Sequence, residues 1–253
     1  KYRSLKLLVA RSFAWCIHCV NRVNFGKSRN RLLVNGSELG LLYRAYRPHV
    51  GVSSSVYRRE VVTYVDTQRN TKDEFVILFV GRPSKEKGVH ILLQAFEELI
   101  KTNRRVCLRM IGFTKEVMIR ELSDRPMNLI ALNSITCYGK MTWNDEFKSL
   151  VSGSHVLIMS SISEGTPRVI IEARALGCPV IATNIGGVTT SVTHEEDGLL
   201  VPPNDPDALV RAVLKVLDNE PLRQTLIRRG LETASRYTIE SFRDQFLGII
   251  KEL

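Results

Sequence analysis

Residues 160–188, SSISEGTPRVIIEARALGCPVIATNIGGV, carry the architecture of this chain in one stretch. A strand, HVLIMS (155–160), runs into a corner built on Gly165, Thr166 and Pro167. A helix follows over 167–176; Thr166 is a good N-cap, Pro167 suits the first helical position and Gly177 suits the stop. PVIAT (179–183) is then a second strand, followed by the glycine turn Asn184-Ile185-Gly186-Gly187. Both strands are apolar at every position but their ends. Strands of that kind are buried on both faces, which marks a parallel sheet between helical layers.

The same unit recurs outward in both directions. FVILFVG (75–81) and RVCLRMIG (105–112) are strands ending in glycine, NLIAL (128–132) is a weaker third and GLLV (198–201) a further one. Helical spacing occupies 88–102, 115–123, 144–152, 205–218, 221–235 and 239–252. The expected fold is α/β with a parallel sheet. Ligands in such sheets bind at the carboxyl ends of the strands, near a reversal of strand order.

The residues that follow the strands are therefore the candidates. Gly81-Arg82-Pro83-Ser84-Lys85-Glu86-Lys87-Gly88 sets two cations, Arg82 and Lys87, on one loop. Arg as a planar fork and Lys as a point charge suit a diphosphate. A helix opening after Pro167 offers free N–H groups and a favourable dipole to an anion. Glu164 stands before that helix and Glu172 within it, with seven residues between them. Taken singly, each has a plainer reading: a solvated basic loop for Arg82 and Lys87, an exposed side chain for Glu164, an ion pair with Arg168 for Glu172. Asp205-Pro206-Asp207 reads as a helix start rather than a metal site. Cys16-Ile17-His18-Cys19 has metal-like spacing, but buried small residues within a helix over 5–24 are the better reading. No Ser nucleophile elbow, phosphate loop of the GxxxxGK[ST] type or HExxH is present.

Composition narrows the class. Hydrophobic residues at 44% and charged residues at 25% exclude a disordered or collagenous chain. No apolar run is long enough to span a bilayer as a helix. Five cysteines are too few for a disulfide scaffold, and their odd number favours a reducing compartment. The chain starts at Lys1 without a signal-peptide pattern and reads as a fragment. Its net charge of +10 is concentrated: residues 1–60 hold twelve Lys/Arg against Glu38 and Glu60. That basic quarter suits an anionic membrane surface or a plain solvated face. No nucleic-acid fold signature accompanies it.

Three segments taken together resemble a known family: VILFVGRPSKEKGVHILLQAF (76–96), residues 160–188, and DGLLVPPNDPDALVRAVLKVLDN (197–219). They are similar in order and spacing to the C-terminal, donor-binding domain of the retaining glycosyltransferases called group 1 or family 4. That family has the GT-B architecture, two Rossmann-like domains facing across a cleft. The resemblance covers residues 70–253. It implies a Rossmann-like nucleotide-sugar domain over 71–253, preceded over 1–70 by a short or truncated acceptor-side region and linker.

The resemblance also implies roles. Arg82 and Lys87 correspond to the basic pair on the donor diphosphate, and Glu164 to the glutamate near the donor sugar; these three are the catalytic candidates. Glu172 corresponds to the glutamate on the nucleotide ribose. Gly81, Gly165, Thr166 and Arg168 line the donor, and Tyr138, Gly139 and Lys140 match the segment near the base. The Thr166-Pro167-Arg168 sequence departs from many relatives, which carry a glycine and aromatic residues there. The implied reaction moves a sugar, with retention, from a UDP- or GDP-sugar to a hydroxyl acceptor, lipid-linked in one version. It needs no metal or other cofactor. The implied setting is cell-surface polysaccharide or glycolipid synthesis in the cytoplasm, peripheral on the cytoplasmic membrane face. The competing readings are a nucleotide-sugar epimerase on a similar fold, a nucleotide-binding remnant without turnover, and nucleic-acid binding through residues 1–60.

Overall fold

The computed structural model describes residues 33–35, 44, 49–51, 55–62, 74–102, 104–121 and 128–251. The expected helix over 5–24, the Cys16/His18/Cys19 group and residues 63–73 of the linker lie outside them. In the N-terminal part, β1 (Leu33–Asn35) pairs in parallel with β2 (His49–Gly51).

The main sheet has six strands: β3 (Phe75–Val80), β4 (Val106–Ile111), β5 (Ile135–Cys137), β6 (Val156–Met159), β7 (Val180–Thr183) and β8 (Leu199–Val201). Every neighbouring pair is parallel. The spatial order is β5-β4-β3-β6-β7-β8. From β3 the chain steps outward through β4 to β5, then returns to the other flank of β3 and steps outward again. The order reverses between β3 and β6, the point at which an open α/β sheet leaves a crevice.

The period of β3 explains the two layers. Phe75, Ile77 and Phe79 are buried on one face with Leu92, Leu93 and Phe96 of α1 (Val89–Lys101) and with Leu209 and Val213. Leu78 is buried on the other face with Ile111, with Phe147 and Val151 of the helix Asp145–Ser152, and with Ile170 and Ala173 of the helix Arg168–Ala175. Alternate side chains of one strand thus seed two cores, which is why the strand reads as uniformly apolar. The other helices are α2 (Lys115–Glu121), α3 (Leu129–Asn133), α4 (Asp145–Ser152), α5 (Arg168–Ala175), α6 (Pro206–Asp218), α7 (Glu220–Arg236) and α8 (Ile239–Lys251).

Two expectations are corrected. NLIAL (128–132) is not a strand: Leu129–Asn133 form α3, and the third strand is Ile135–Cys137. Asn128 decides this, because its side chain accepts the Ile130 N–H at 2.8 Å and starts a helical turn. Ala131 is then the buried anchor, while Ile130 stays 64% exposed. A five-residue apolar run does not distinguish the two conformations by periodicity. At α5, Thr166 is not the N-cap. Pro167 occupies that position in extended conformation, and no side chain caps the helix. Asp205 does cap α6, accepting the Ala208 N–H at 2.8 Å, so Asp205-Pro206-Asp207 is a helix start.

Segment 55–62 is stitched to the sheet domain rather than free. The Val62 N–H donates to Ala175 O at 2.9 Å and the Ile239 N–H to Val56 O at 2.8 Å. The Glu60 carboxylate accepts from Lys148 Nζ at 2.5 Å, from the Tyr57 N–H at 2.8 Å and from Trp143 Nε1 at 3.1 Å. Burial pushes the Glu60 carboxyl up, but these donors outweigh it and hold the group below its ordinary range. Among the described residues no helix is long and apolar enough to cross a membrane.

Candidate functional site

The loop after β3 and the loop after β6 meet at the reversal of strand order. The Ile162 N–H donates to Glu86 O at 2.7 Å, and Ser160 Oγ donates to Lys87 O at 3.1 Å. Gly88 makes the approach possible: its φ is +59°, and a Cβ there would stand 2.0 Å from Ser160 O. A left-handed backbone with no room for a methyl group leaves glycine as the fitting residue. Gly88→Ala is therefore expected to force the two loops apart and cut nucleotide affinity at least about tenfold, since small misplacements are costly in a polar site. Titration calorimetry with wild-type affinity retained would show the loop contact to be dispensable.

With the loops joined, Lys87 Nζ donates to Glu164 Oε1. The pair is largely covered, at 23% and 12% side-chain exposure. Ser161 Oγ donates to the same Oε1 at 2.7 Å. Glu164 Oε2 accepts nothing from the described residues, and an ammonium carries three donors, of which one is used here. The pair therefore retains an acceptor and two donors for an outside group.

The corner that follows is pinned from β7. The Gly187 N–H donates to Glu164 O at 3.3 Å. A Cβ on Gly187 would lie 1.9 Å from Gly165 O, so the glycine turn after β7 also serves close approach. Pro167 holds the N-cap position without a side-chain cap, and the amides of Gly165, Thr166 and Arg168 have no hydrogen-bond partner among the described residues. Pro167 itself has no N–H to offer. Arg168 opens the first turn of α5 at the positive end of its dipole, four residues on from Glu164.

The remaining expected residues sort by distance from this pair. Gly81 continues β3, its N–H donating to Ile111 O at 3.0 Å, and Lys87 Cδ lies 3.6 Å from where its Cβ would be. Arg82 is exposed on the same loop, and makes no contact with Lys87 or Glu164 among the described residues. Tyr138, Gly139 and Lys140 follow β5 on the same edge of the sheet. Gly139 is tied to β4, accepting the Gly112 N–H at 2.6 Å and donating to Phe113 O at 2.7 Å. Lys140 is exposed and touches neither member of the pair.

Glu172 lies apart from Glu164, one turn into α5. Its Oε1 accepts from Ser55 Oγ, so the expected ion pair with Arg168 is replaced by a hydroxyl from the N-terminal segment. Burial pushes the Glu172 carboxyl up from its ordinary value, with Ser55 and the nearby Arg168 charge opposing. Sequence reading did not find Ser55 or Ser161; a lone serine in a loop carries no signal of the carboxylate it will meet.

The family described as "Glycosyl transferases group 1" matches residues 64–233, and the chain belongs to it. A D-inositol 3-phosphate glycosyltransferase of Corynebacterium urealyticum is 30% identical over 186 residues, covering 70% of this chain and 43% of that protein. The capsular polysaccharide biosynthesis glycosyltransferase CapM of Staphylococcus aureus is 32% identical over 164 residues, 62% of this chain and 40% of its own length. The chain thus spans less than half the length of these curated relatives. Among solved structures, Anabaena Alr3699/HepE in complex with UDP superposes with a TM-score of 0.73 at 20% identity, over 88% of this chain and 64% of that one. At that identity the likeness shows the fold alone, that of the GT-B glycosyltransferases.

Proposed function

We propose that this chain supplies the donor-binding half of a retaining, family 4 type glycosyltransferase, binding a UDP- or GDP-sugar between the loops after β3 and β6. The observation that carries this reading is the Lys87–Glu164 pair at the strand-order reversal, beside the uncapped start of α5. Residues 71–253 form the donor unit, and residues 1–70 belong to the acceptor side. The names of the relatives, all glycosyltransferases, support the reaction class. The UDP held by the Anabaena protein supports a nucleotide diphosphate as ligand.

The chemistry is electrostatic. Departure of the nucleoside diphosphate concentrates negative charge on its outer phosphate while the sugar becomes oxocarbenium-like. The two unused donors of Lys87 and the amides of Gly165, Thr166 and Arg168 are in place before that charge develops, and the exposed Arg82 adds a second cation on the same loop. Preorganised donors of this kind lower the barrier without a reorganisation cost. Glu164 has two tasks: Oε1 holds the ammonium in place and Oε2 accepts a sugar hydroxyl. Glu172 accepts from the ribose diol, and Tyr138, Gly139 and Lys140 border the base. The reading requires no metal, and nucleotide binding is expected to survive chelation.

The capsular polysaccharide biosynthesis in which CapM is named supports a place in cell-surface polysaccharide synthesis, and the acceptor in this reading is a hydroxyl. In that setting the basic residues 1–60 face an anionic membrane surface from the cytoplasmic side, and liposome sedimentation without preference for anionic lipid would reject this part. The donor reading is tested by thermal melts with UDP and GDP. A ligand that binds the folded form alone raises its melting point, so one of the two is expected to stabilise the chain. Stabilisation by neither would reject the reading.

A further inference from the structure

We propose that Ser55 is a positioning residue for Glu172, coupling nucleotide recognition to the seating of segment 55–62 on α5. The inference rests on the donor reading above and assigns a role to a residue that the family resemblance leaves unassigned.

The geometry is a crossing of two elements. Segment 55–62 runs alongside α5, meeting it through Ser55 at Glu172 and through the Val62 N–H at Ala175 O, 2.9 Å away. Ser55 is the end of this run nearer the α5 N-terminus, hence nearer the Lys87–Glu164 pair. Between the two contacts, Val56 is fully buried against Ile171, Ala175 and Ala234. Farther along, Glu60 ties the segment to Trp143 and Lys148. The hydroxyl is thus presented by a backbone anchored from Val56 onward.

What Ser55 does to Glu172 follows from hydrogen-bond capacity. A carboxylate has two acceptor oxygens, and Ser55 engages Oε1. Oε2, with its orientation set through Oε1, is left to accept from a ribose hydroxyl. Ser55 also opposes the effect of burial on the charge. Burial favours protonated Glu172, and a protonated carboxyl is a poorer acceptor for a diol. Among the described residues, the groups that act on the Glu172 charge are Arg168 on its own helix and Ser55 from the segment. Ser55 and Arg168 both oppose the effect of burial, and among the described residues Ser55 is the one that hydrogen-bonds the carboxylate.

The sign follows. Without the hydroxyl, Glu172 protonates at higher pH than before, so affinity is lost earlier as the pH falls. The experiment is calorimetric titration with UDP, GDP and their 2′,3′-dideoxy analogues, from neutral to mildly acidic pH, on the unaltered protein, Ser55→Ala, Ser55→Thr and Glu172→Gln. For whichever nucleotide binds, Ser55→Ala is expected to weaken binding about tenfold, the lower end for a hydrogen bond to a charged group. It should also erase most of the preference for ribose over dideoxyribose and move the acid limb of binding to higher pH. Ser55→Thr, which keeps the hydroxyl, should restore all three. If Ser55→Ala fails to fold, Ser55→Cys carries the same comparison, with a weaker donor of similar size.

Ser55→Ala with unchanged affinity, ribose preference and pH profile, while Glu172→Gln loses the ribose preference, overturns the role of Ser55 and leaves the donor site standing. Equal loss for ribose and dideoxyribose nucleotides with an unmoved acid limb also overturns it, because a purely structural defect gives that pattern. No binding of either nucleotide by the unaltered protein removes the donor reading and this inference with it.

Discussion

Lys87→Ala is expected to weaken binding of UDP or GDP by about ten- to a hundredfold, the cost of removing a hydrogen bond made by a charged group. Of the two loop cations, Lys87 is the one whose position the fold specifies. Gly88 lets its loop touch the β6 loop, Ser160 holds its carbonyl at 3.1 Å, and Glu164 holds its ammonium. The substitution removes two donors from the phosphates and leaves Glu164 with Ser161 alone. Its effect should fall on the diphosphate rather than the nucleoside. Calorimetry with UDP and uridine, or GDP and guanosine, separates these: the advantage conferred by the phosphates should shrink while nucleoside affinity holds. A variant that keeps the full phosphate advantage would show that Lys87 does not read the diphosphate. Arg82→Ala is expected to cost less, because Arg82 is exposed and held by none of these contacts.

Asp197→Ala is expected to destabilise the fold by about 3–5 kcal/mol, the range for breaking a buried ion pair from one side. Arg174, on α5, is 2% exposed. Its Nη2 donates to Asp197 Oδ1 at 2.6 Å and to Asp197 O at 2.9 Å, and its Nη1 donates to Ser191 O at 2.7 Å. Asp197 also accepts from the Thr193 N–H at 2.8 Å and from Thr233 Oγ1 at 3.1 Å. Removing the carboxylate leaves a guanidinium in the interior with one charge partner lost. For a domain of this size the melting temperature should fall on the order of 10 °C. Arg174→Met with Asp197→Leu should cost less than the single change, since no orphan charge remains. Denaturant titration of Asp197→Ala, Arg174→Met, Asp197→Leu and the double variant checks this; a double variant as unstable as its two summed singles would mean that the two residues act independently.

The sheet was legible because apolar runs such as FVILFV and VLIM need no partner to announce burial on both faces. Five strands of the main sheet, the long helices and the Asp205 cap follow from local pattern. So does the importance of the loops after β3 and β6, where glycine, cations and acids cluster. The family followed from three motifs in order. NLIAL was misread because five apolar residues fit either conformation until Asn128 is seen to bond the Ile130 N–H. The α5 cap was misread because Thr166 has the right chemistry for a cap, while Pro167 takes the position.

What the sequence by itself determined, then, is periodicity and the chemistry of each loop: a parallel α/β sheet, and the residue types that stand where its strands end. Only the tertiary structure decided partners. It paired Lys87 with Glu164 across 77 positions, Arg174 with Asp197, and Ser55 with Glu172 across 117. The physical reason is that a strand or helix is chosen by neighbours a few residues away, which a sequence displays. A hydrogen bond between loops depends on the order in which strands assemble, and nothing in either loop alone records which loop will lie beside it.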